Sequence, residues 1–531
     1  MCKIRKTNRL LISGLICCML LLQFTAAGCS KKAAATTAAV KTTGRMSLTA
    51  GKTTSKAGMP SSTVSGGTGS SAEEQQGSGA ADPDTSSQTE ENEPYIPVKS
   101  YDLGGRTVVW TRWGDPEEYR RWFEDEEFAR TYTAEGNQIT GHLYAVYKRM
   151  QEAQKKYNFK FKTNIWTNGV AMQDDFEKSA MAGIHVSDML TGSSQRMFPA
   201  YITKKLILPL DDYYDLSEDL YHLKSNRLSM ALNAWQGKQY GFSPFLITGT
   251  AYGVNCDLDM LGREGLPRPY DLILANQWNW DTFLSQAMTC TRDLNGDGIL
   301  DQWGIVNYYQ PLLIGMINSN GGQFLATKGD NDVSFALSDP KSLKGLQFAN
   351  DLIHVYKVVR DKPYILAALF DKTSCFTVFS SYKWAYDARG ITGMEWVPLP
   401  KGPDADTYQS VIPIHNPLIF PVTMTNAAEI INIMIEVFSY WDTTRPYSVD
   451  ADAVKFQQLA TWVQDEEIRR FSLGVVDQVR FDPYYGFSAV KTLIDNNILT
   501  PISKGAISVG SAVDSIRTQV QSEISDAMGR R

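Results

Sequence analysis

The sequence predicts an α/β fold with a largely parallel sheet, and three observations point there. After about residue 100, runs rich in β-branched and aromatic residues alternate with stretches of helical spacing. The 531 residues exceed one ordinary domain, and a hydrophobic content of 43% with 11% aromatics suits two or three folded units with sizeable cores. Between residues 29 and 97 the chain is small and polar, so the folded part begins late.

The elements follow in order. Arg106 to Thr111 reads as a first strand, launched by the Gly104-Gly105 turn. A helix from about Leu143 to Tyr157 carries Leu143, Val146 and Met150 at helical spacing. Phe159 to Ile165 alternates as a second strand. Asp174 to Met181 is helical and stops at Gly183, and His185 to Leu190 is a short strand. Strands separated by helices favour parallel pairing.

Met1 to Gly28 has the layout of a signal peptide: a basic start, an apolar run from Leu10 to Leu22, then small residues. The run is short for a bilayer span. It ends in Ala26-Ala27-Gly28-Cys29-Ser30, which resembles a bacterial lipobox with Ala26 where Leu is usual; the resemblance implies lipid modification of Cys29. Residues 29–97 are Ser-, Thr-, Ala- and Gly-rich, with bases first and acids later, and read as a flexible tether above the membrane. The formal net charge is −6; loss of Lys3, Arg5, Lys6 and Arg9, with no acid in the leader, leaves about −10. An acidic chain speaks against nucleic-acid binding. Of the seven cysteines, three fall outside the leader and lipobox: Cys256, Cys290 and Cys375. That is no disulfide framework; buried thiols, or one disulfide, both fit.

Asp293, Asn295 and Asp297 place side-chain oxygens at every second residue, and Gly298 permits a tight turn. Ile299 and Asp301 stand at the seventh and ninth positions of a calcium-type loop. At the twelfth, where an EF-hand has a bidentate Glu, stands Gly304. A structural Ca2+ and a solvated turn before the Trp303–Val306 strand both fit.

The ordered set of segments carries more than any one of them. Leu208-Pro209-Leu210-Asp211-Asp212-Tyr213 is followed by Gly237-Lys238-Gln239-Tyr240-Gly241-Phe242-Ser243-Pro244, by Tyr252-Gly253-Val254-Asn255, and by Trp278-Asn279-Trp280-Asp281-Thr282-Phe283 before the acidic loop. Then come Asn320-Gly321-Gly322, the stretch from Ala368 through Trp384, and Val397-Pro398-Leu399-Pro400-Lys401-Gly402-Pro403. From Arg106 onward this order resembles the sugar-binding extracellular solute-binding proteins of bacterial ABC importers, the group that includes the maltose-binding proteins. Lys372-Thr373 in place of Gly-Lys, the charged and aromatic insertion from Asp115 to His142, and the weak match after Asp442 depart from it.

The resemblance implies a two-lobed, type II periplasmic-binding-protein-like fold with the ligand between lobes. Lobe 1 would comprise residues 98–248 and 414–462, and lobe 2 residues 249–413 and 463–531. It implies capture of a carbohydrate, an oligosaccharide above all, and delivery to permease subunits by a monomer tethered through its lipid. Sugars offer apolar faces to aromatic rings and hydroxyls to polar groups. The residues at the matching cleft positions are Trp113 and Asp115, Ser193, Ser194 and Gln195, Tyr308 and Tyr309, Tyr382 and Trp384, and Tyr484 and Tyr485 at the start of a late helix. No nucleophile motif, Cys/His cluster or phosphate loop appears. A secreted carbohydrate-active enzyme with a calcium loop, and a receptor serving a sensor kinase, are the alternatives.

Overall fold

The computed structural model describes residues 100–131, 142–216, 227–244, 251–307, 309–328, 332–361, 372–380, 389–412, 414–439, 450–460, 463–480 and 482–530. The leader, the tether with Cys29, and Tyr308, Tyr382 and Trp384 lie outside them. No helix among the described residues is long and apolar enough to cross a membrane.

Two sheets organise the folded part. The first is built from β1 (Thr107–Trp113), β2 (Lys160–Trp166) and β3 (Met189–Thr191). β1 is central and pairs in parallel with both others. The second contains β4 (Gly253–Asp257), β5 (Trp303–Asn307), β6 (Val359–Asp361), β7 (Ser374–Phe379) and β8 (Met394–Pro398), in the order β6-β5-β7-β4-β8. Its β6, β5 and β7 run parallel, whereas β4 pairs antiparallel with β7 and β8. A late strand, β9 (Leu418–Ile419), returns to the first sheet and pairs antiparallel with β3. The chain therefore crosses to the second sheet and back, which makes two lobes of a type II periplasmic-binding-protein-like fold.

Local chemistry explains several boundaries. The helix expected from Asp174 begins earlier, at Gly169, because the Asn168 side chain accepts from the Val170 and Ala171 amides and caps it. The strand expected from His185 shortens to Met189–Thr191. Upstream of it Asp188 turns its carboxylate to the Val109 amide (2.8 Å) and to Arg106 (2.5 Å), leaving sheet pairing to the residues that follow.

The Asp115 to His142 insertion contributes two helices, Pro116–Glu124 and Glu126–Thr131. Gly114 turns the chain into them; a side chain there would stand 2.2 Å from the Tyr119 ring, and its φ of +152° suits glycine. Trp122 and Phe123 are buried. Phe123 meets Trp110 at 5.7 Å and Phe161 at 4.8 Å between ring centroids. This core also holds Val146 and Met150 of the His142–Lys156 helix and Ile430, Met434 and Phe438 of the Ala427–Phe438 helix. The insertion thus thickens the first lobe's core.

The second lobe packs the Trp280–Cys290, Tyr309–Ser319 and Pro340–His354 helices beside its sheet. The C-terminal helix, Val509–Ala527, buries Val513, Ile516, Val520 and Ile524 at helical spacing and packs on the Pro340–His354 helix.

Candidate binding crevice

In an open α/β sheet the ligand sits beyond the carboxyl ends of the strands. At that edge of the first sheet β1 ends in Trp113 and β2 in Trp166, and register places these two tryptophans side by side. In-register neighbours project to one face of a sheet. Both are half-buried. Trp113 lies against Gly169, where an added Cβ would be 3.0 Å from its ring, so the glycine lets the Gly169–Met181 helix start beneath the indole. Trp166 was missed by the sequence reading, which ended its strand at Ile165; the aromatic one residue on was the available signal.

Beside them runs the loop after β3. Ser193 exchanges two contacts with the Gln173 side chain: its carbonyl accepts from Nε2 at 3.1 Å and its amide reaches Oε1 at 3.4 Å. Ser194 is buried and ties to the returning chain: its amide donates to the His415 carbonyl (3.0 Å) and its hydroxyl accepts from the His415 amide (3.2 Å). Gln195 is half-buried. Asp115 is exposed, and its carboxylate caps the inserted helix through the Glu117 and Glu118 amides. That hydrogen bonding gives it a local structural use whatever else it meets.

At the carboxyl edge of the second sheet, the parallel strands β5 and β7 end near Asn307 and Phe379. The buried Asn307 amide donates to the Val378 carbonyl (3.0 Å) and accepts from its amide (2.7 Å), fixing both ends. Tyr309, half-buried, opens the next helix. Its neighbour Gln310 donates to Asp495 at 3.1 Å, and Asp495 also receives the Tyr484 hydroxyl and Lys491. Tyr484 and Tyr485 lie in a 3-10 turn, Pro483–Gly486, ahead of the helix at Ser488. Both are buried; Tyr484 stacks on Phe324 at 4.4 Å. This places Tyr484 behind Tyr309 and Gln310.

Three chain segments run side by side between the lobes. The Tyr252 amide donates to the Val411 carbonyl at 3.0 Å, Val411 bridges Arg480, and the Arg480 and Ile412 amides donate across to Ser410 and Arg480 at 3.3 Å. Arg480 was not anticipated. Its Nε and Nη2 are shielded from solvent without a hydrogen-bond partner among the described residues, while Nη1 lies 3.5 Å from the Gly321 carbonyl. The unpaired edge is the one that grips carboxylates or paired hydroxyls side-on. Burial lowers the Arg480 pKa, partly opposed by Asp482.

Two buried groups near these crossings titrate abnormally. The Asp482 carboxylate accepts from the Phe324 (2.6 Å), Leu325 (3.3 Å) and Tyr484 (3.0 Å) amides. Burial nevertheless outweighs these bonds and raises its pKa to about 6. The His415 imidazole sits 3.0 Å from Asn233 Oδ1, an orientation set by the Asn233 amide nitrogen donating to Ser229 at 2.6 Å. Burial lowers the His415 pKa to about 3. A neutral buried His contributes stability above its unfolded pKa that is lost as pH falls; a raised Asp contributes stability at low pH that is lost as pH rises through about 6. The two slopes oppose each other between about pH 4 and 6, each near 1.4 kcal/mol per unit. His415→Asn should remove one slope. Its melting midpoint then rises as pH falls from 6 to 5, where the parent is level; a variant that parallels the parent would refute the assignment.

The acidic loop is exposed and tightly wound. Asp293 accepts from the Asn295, Gly296 and Gly298 amides, Asn295 from Asp297, Asp297 from Ile299, and Asp301 from Leu294. These side-chain oxygens are thus used by the loop's own amides, as in a chain of Asx turns. Among the described residues no cluster of three or more His, Cys, Asp or Glu is gathered closely enough to hold a metal ion, the acidic loop included. Gly304 is forced by packing: an added Cβ would lie 2.2 Å from the Ala287 carbonyl oxygen, so no twelfth-position Glu could stand there.

No family model and no curated protein matches the chain. Among solved structures the fold is shared widely. An ABC substrate-binding protein from Listeria monocytogenes in complex with cycloalternan aligns with a TM-score of 0.53 and 12% identity, over 80% of this chain and 100% of its own. A cyclo/maltodextrin-binding protein complexed with maltotetraose aligns at 0.55 with 13% identity, over 80% and 99%. UgpB of Mycobacterium tuberculosis in complex with glycerophosphocholine aligns at 0.52 with 14% identity, over 73% and 96%. At such identities the likeness is one of fold: this chain has the two-lobed fold of ABC solute-binding proteins.

Proposed function

We propose that the chain is an extracytoplasmic solute receptor that captures a carbohydrate between its lobes and hands it to the permease of an ABC importer. The observation that carries this is the in-register pair Trp113 and Trp166 at the crevice edge. Two flat apolar rings beside polar Ser193 and Gln195 suit a sugar, whose C–H faces stack while its hydroxyls hydrogen-bond. Tyr309 faces the same task from the second lobe, joined by Tyr308, Tyr382 and Trp384 at their family positions. The unpaired edge of Arg480 takes a ligand oxygen. The structures of fold relatives with cycloalternan and maltotetraose support an oligosaccharide.

Binding works by population shift: contacts to both lobes favour the closed form, which the permease recognises. The receptor acts as a monomer, held through lipid on Cys29 and a tether over residues 29–97. A melting screen against glycans tests the reading, because a ligand of the native state raises apparent stability. A shift with malto-oligosaccharides or another glycan is expected. A shift with glycerophosphodiesters or peptides and none with glycans would refute it, and turnover of a glycan would favour an enzyme instead.

The acidic loop holds one Ca2+ through Asp293, Asn295, Asp297, the Ile299 carbonyl and Asp301. Calcium at one hundred times its dissociation constant then stabilises the fold by about 2.7 kcal/mol. The expected result is a melting midpoint that rises with CaCl2, not with MgCl2, and no longer responds in Asp297→Ala. Identical midpoints in calcium and chelator would leave the loop as a plain turn.

A further inference from the structure

We propose that Cys290 and Cys375 form a disulfide bond in the exported protein, which rests on the extracytoplasmic reading above. Cys290 closes the Trp280–Cys290 helix and Cys375 lies in β7, 85 residues further along. Both are fully buried, and their sulfurs stand 2.9 Å apart. A covalent bond needs about 2.05 Å, so a shift of about 1 Å joins them. The third thiol, Cys256, lies instead against the Val254 carbonyl at 3.6 Å.

Burial, and the neighbouring Cys290, raise the Cys375 pKa, so the folded interior disfavours a reactive thiolate. The bond therefore forms while the second lobe is still assembling. The oxidant is the disulfide of an extracytoplasmic thiol–disulfide oxidoreductase. One protein thiolate attacks it, forming a mixed disulfide and releasing one oxidoreductase thiolate. The second protein thiolate attacks the protein sulfur of that mixed disulfide and expels the other. Two protons leave the protein and two electrons reduce the oxidoreductase. Compartment favours the reaction, since such bonds persist outside the cytoplasm.

The bond would fasten the acidic loop. Cys290 stands three residues before Asp293, and its carbonyl accepts from Gln302 Nε2 at 3.1 Å on the far side of the loop. A link from Cys290 to β7 holds the loop's base to an interior strand of the second sheet.

The test uses the full chain made in an export-competent bacterial host, with membrane and cytoplasmic fractions separated. The membrane form is denatured in alkylating reagent without reductant and digested. The expected result is alkylation of Cys256 alone among the three, with a Cys290–Cys375 linked peptide pair. Alkylation of all three, or a link through Cys256, would overturn the proposal. Retention of the chain in the cytoplasm would count against export and not against the pairing. The pairing is then read on the purified chain refolded in a glutathione redox buffer, with the same peptide pair expected and the same two outcomes overturning it. Reductant should lower the melting midpoint of the oxidised parent by several degrees and leave Cys290→Ala/Cys375→Ala unmoved.

Discussion

Gly486→Ala should destabilise the protein by more than about 3 kcal/mol, read as a lowered urea midpoint at unchanged slope. A methyl group there would lie 1.6 Å from the Phe198 carbonyl oxygen and 3.1 Å from Pro199 Cδ. The turn cannot retreat easily. On its other side Tyr484 stacks on Phe324, and Asp482 holds the Phe324 and Leu325 amides. The turn is therefore a wedge between Phe198, which follows β3 of the first lobe, and Phe324 of the second, and one added carbon must move one of them. Gly510→Ala in the C-terminal helix is the control: an added Cβ meets nothing within 4 Å, and alanine gains up to about 1 kcal/mol in a helix. Equal midpoints for the Gly486 variant and the parent would show that the wedge yields, and the lobe junction drawn here would be wrong.

Replacing the flat rings at the crevice edge should weaken sugar binding far more than folding. Trp113→Leu and Trp166→Leu keep apolar bulk where each side chain is half-buried, so each changes stability by about 1.5 kcal/mol or less. A lost stacking face costs about 1.4 kcal/mol of binding, roughly tenfold each and about a hundredfold together. The measurement is calorimetric titration with the glycan that shifts melting most. Full affinity in the double variant would move the binding surface away from these strand ends. A loss confined to Trp113→Leu would assign Trp166 to packing over the Gly169–Met181 helix.

Much of the frame was legible in the residues. The Arg106 to Thr111 strand is observed as Thr107–Trp113, and the Leu143 to Tyr157 helix as His142–Lys156, because alternation and helical spacing report which face is buried. The insertion after Asp115 resisted reading. Its mixture of charged and aromatic residues does not say which are buried; Trp122 and Phe123 are core residues, and only packing against Phe161 and the His142–Lys156 helix reveals this. Cleft positions taken by resemblance met the same difficulty. Tyr484 and Tyr485 carry the expected chemistry, yet the fold buries both, since an aromatic ring serves a core as well as a ligand.

The sequence by itself determined the α/β alternation, the compartment signals and the acidic loop, because each depends on neighbours along the chain. Tertiary structure alone decided the rest. It set Trp166 beside Trp113 through strand register, left one edge of Arg480 unpaired at the lobe crossing, brought Cys290 to Cys375, and forced glycine at 304 against the Ala287 carbonyl. Those are contacts between residues as far as 159 positions apart. Local propensity carries no record of them, since each exists only once separate segments of the chain have packed together.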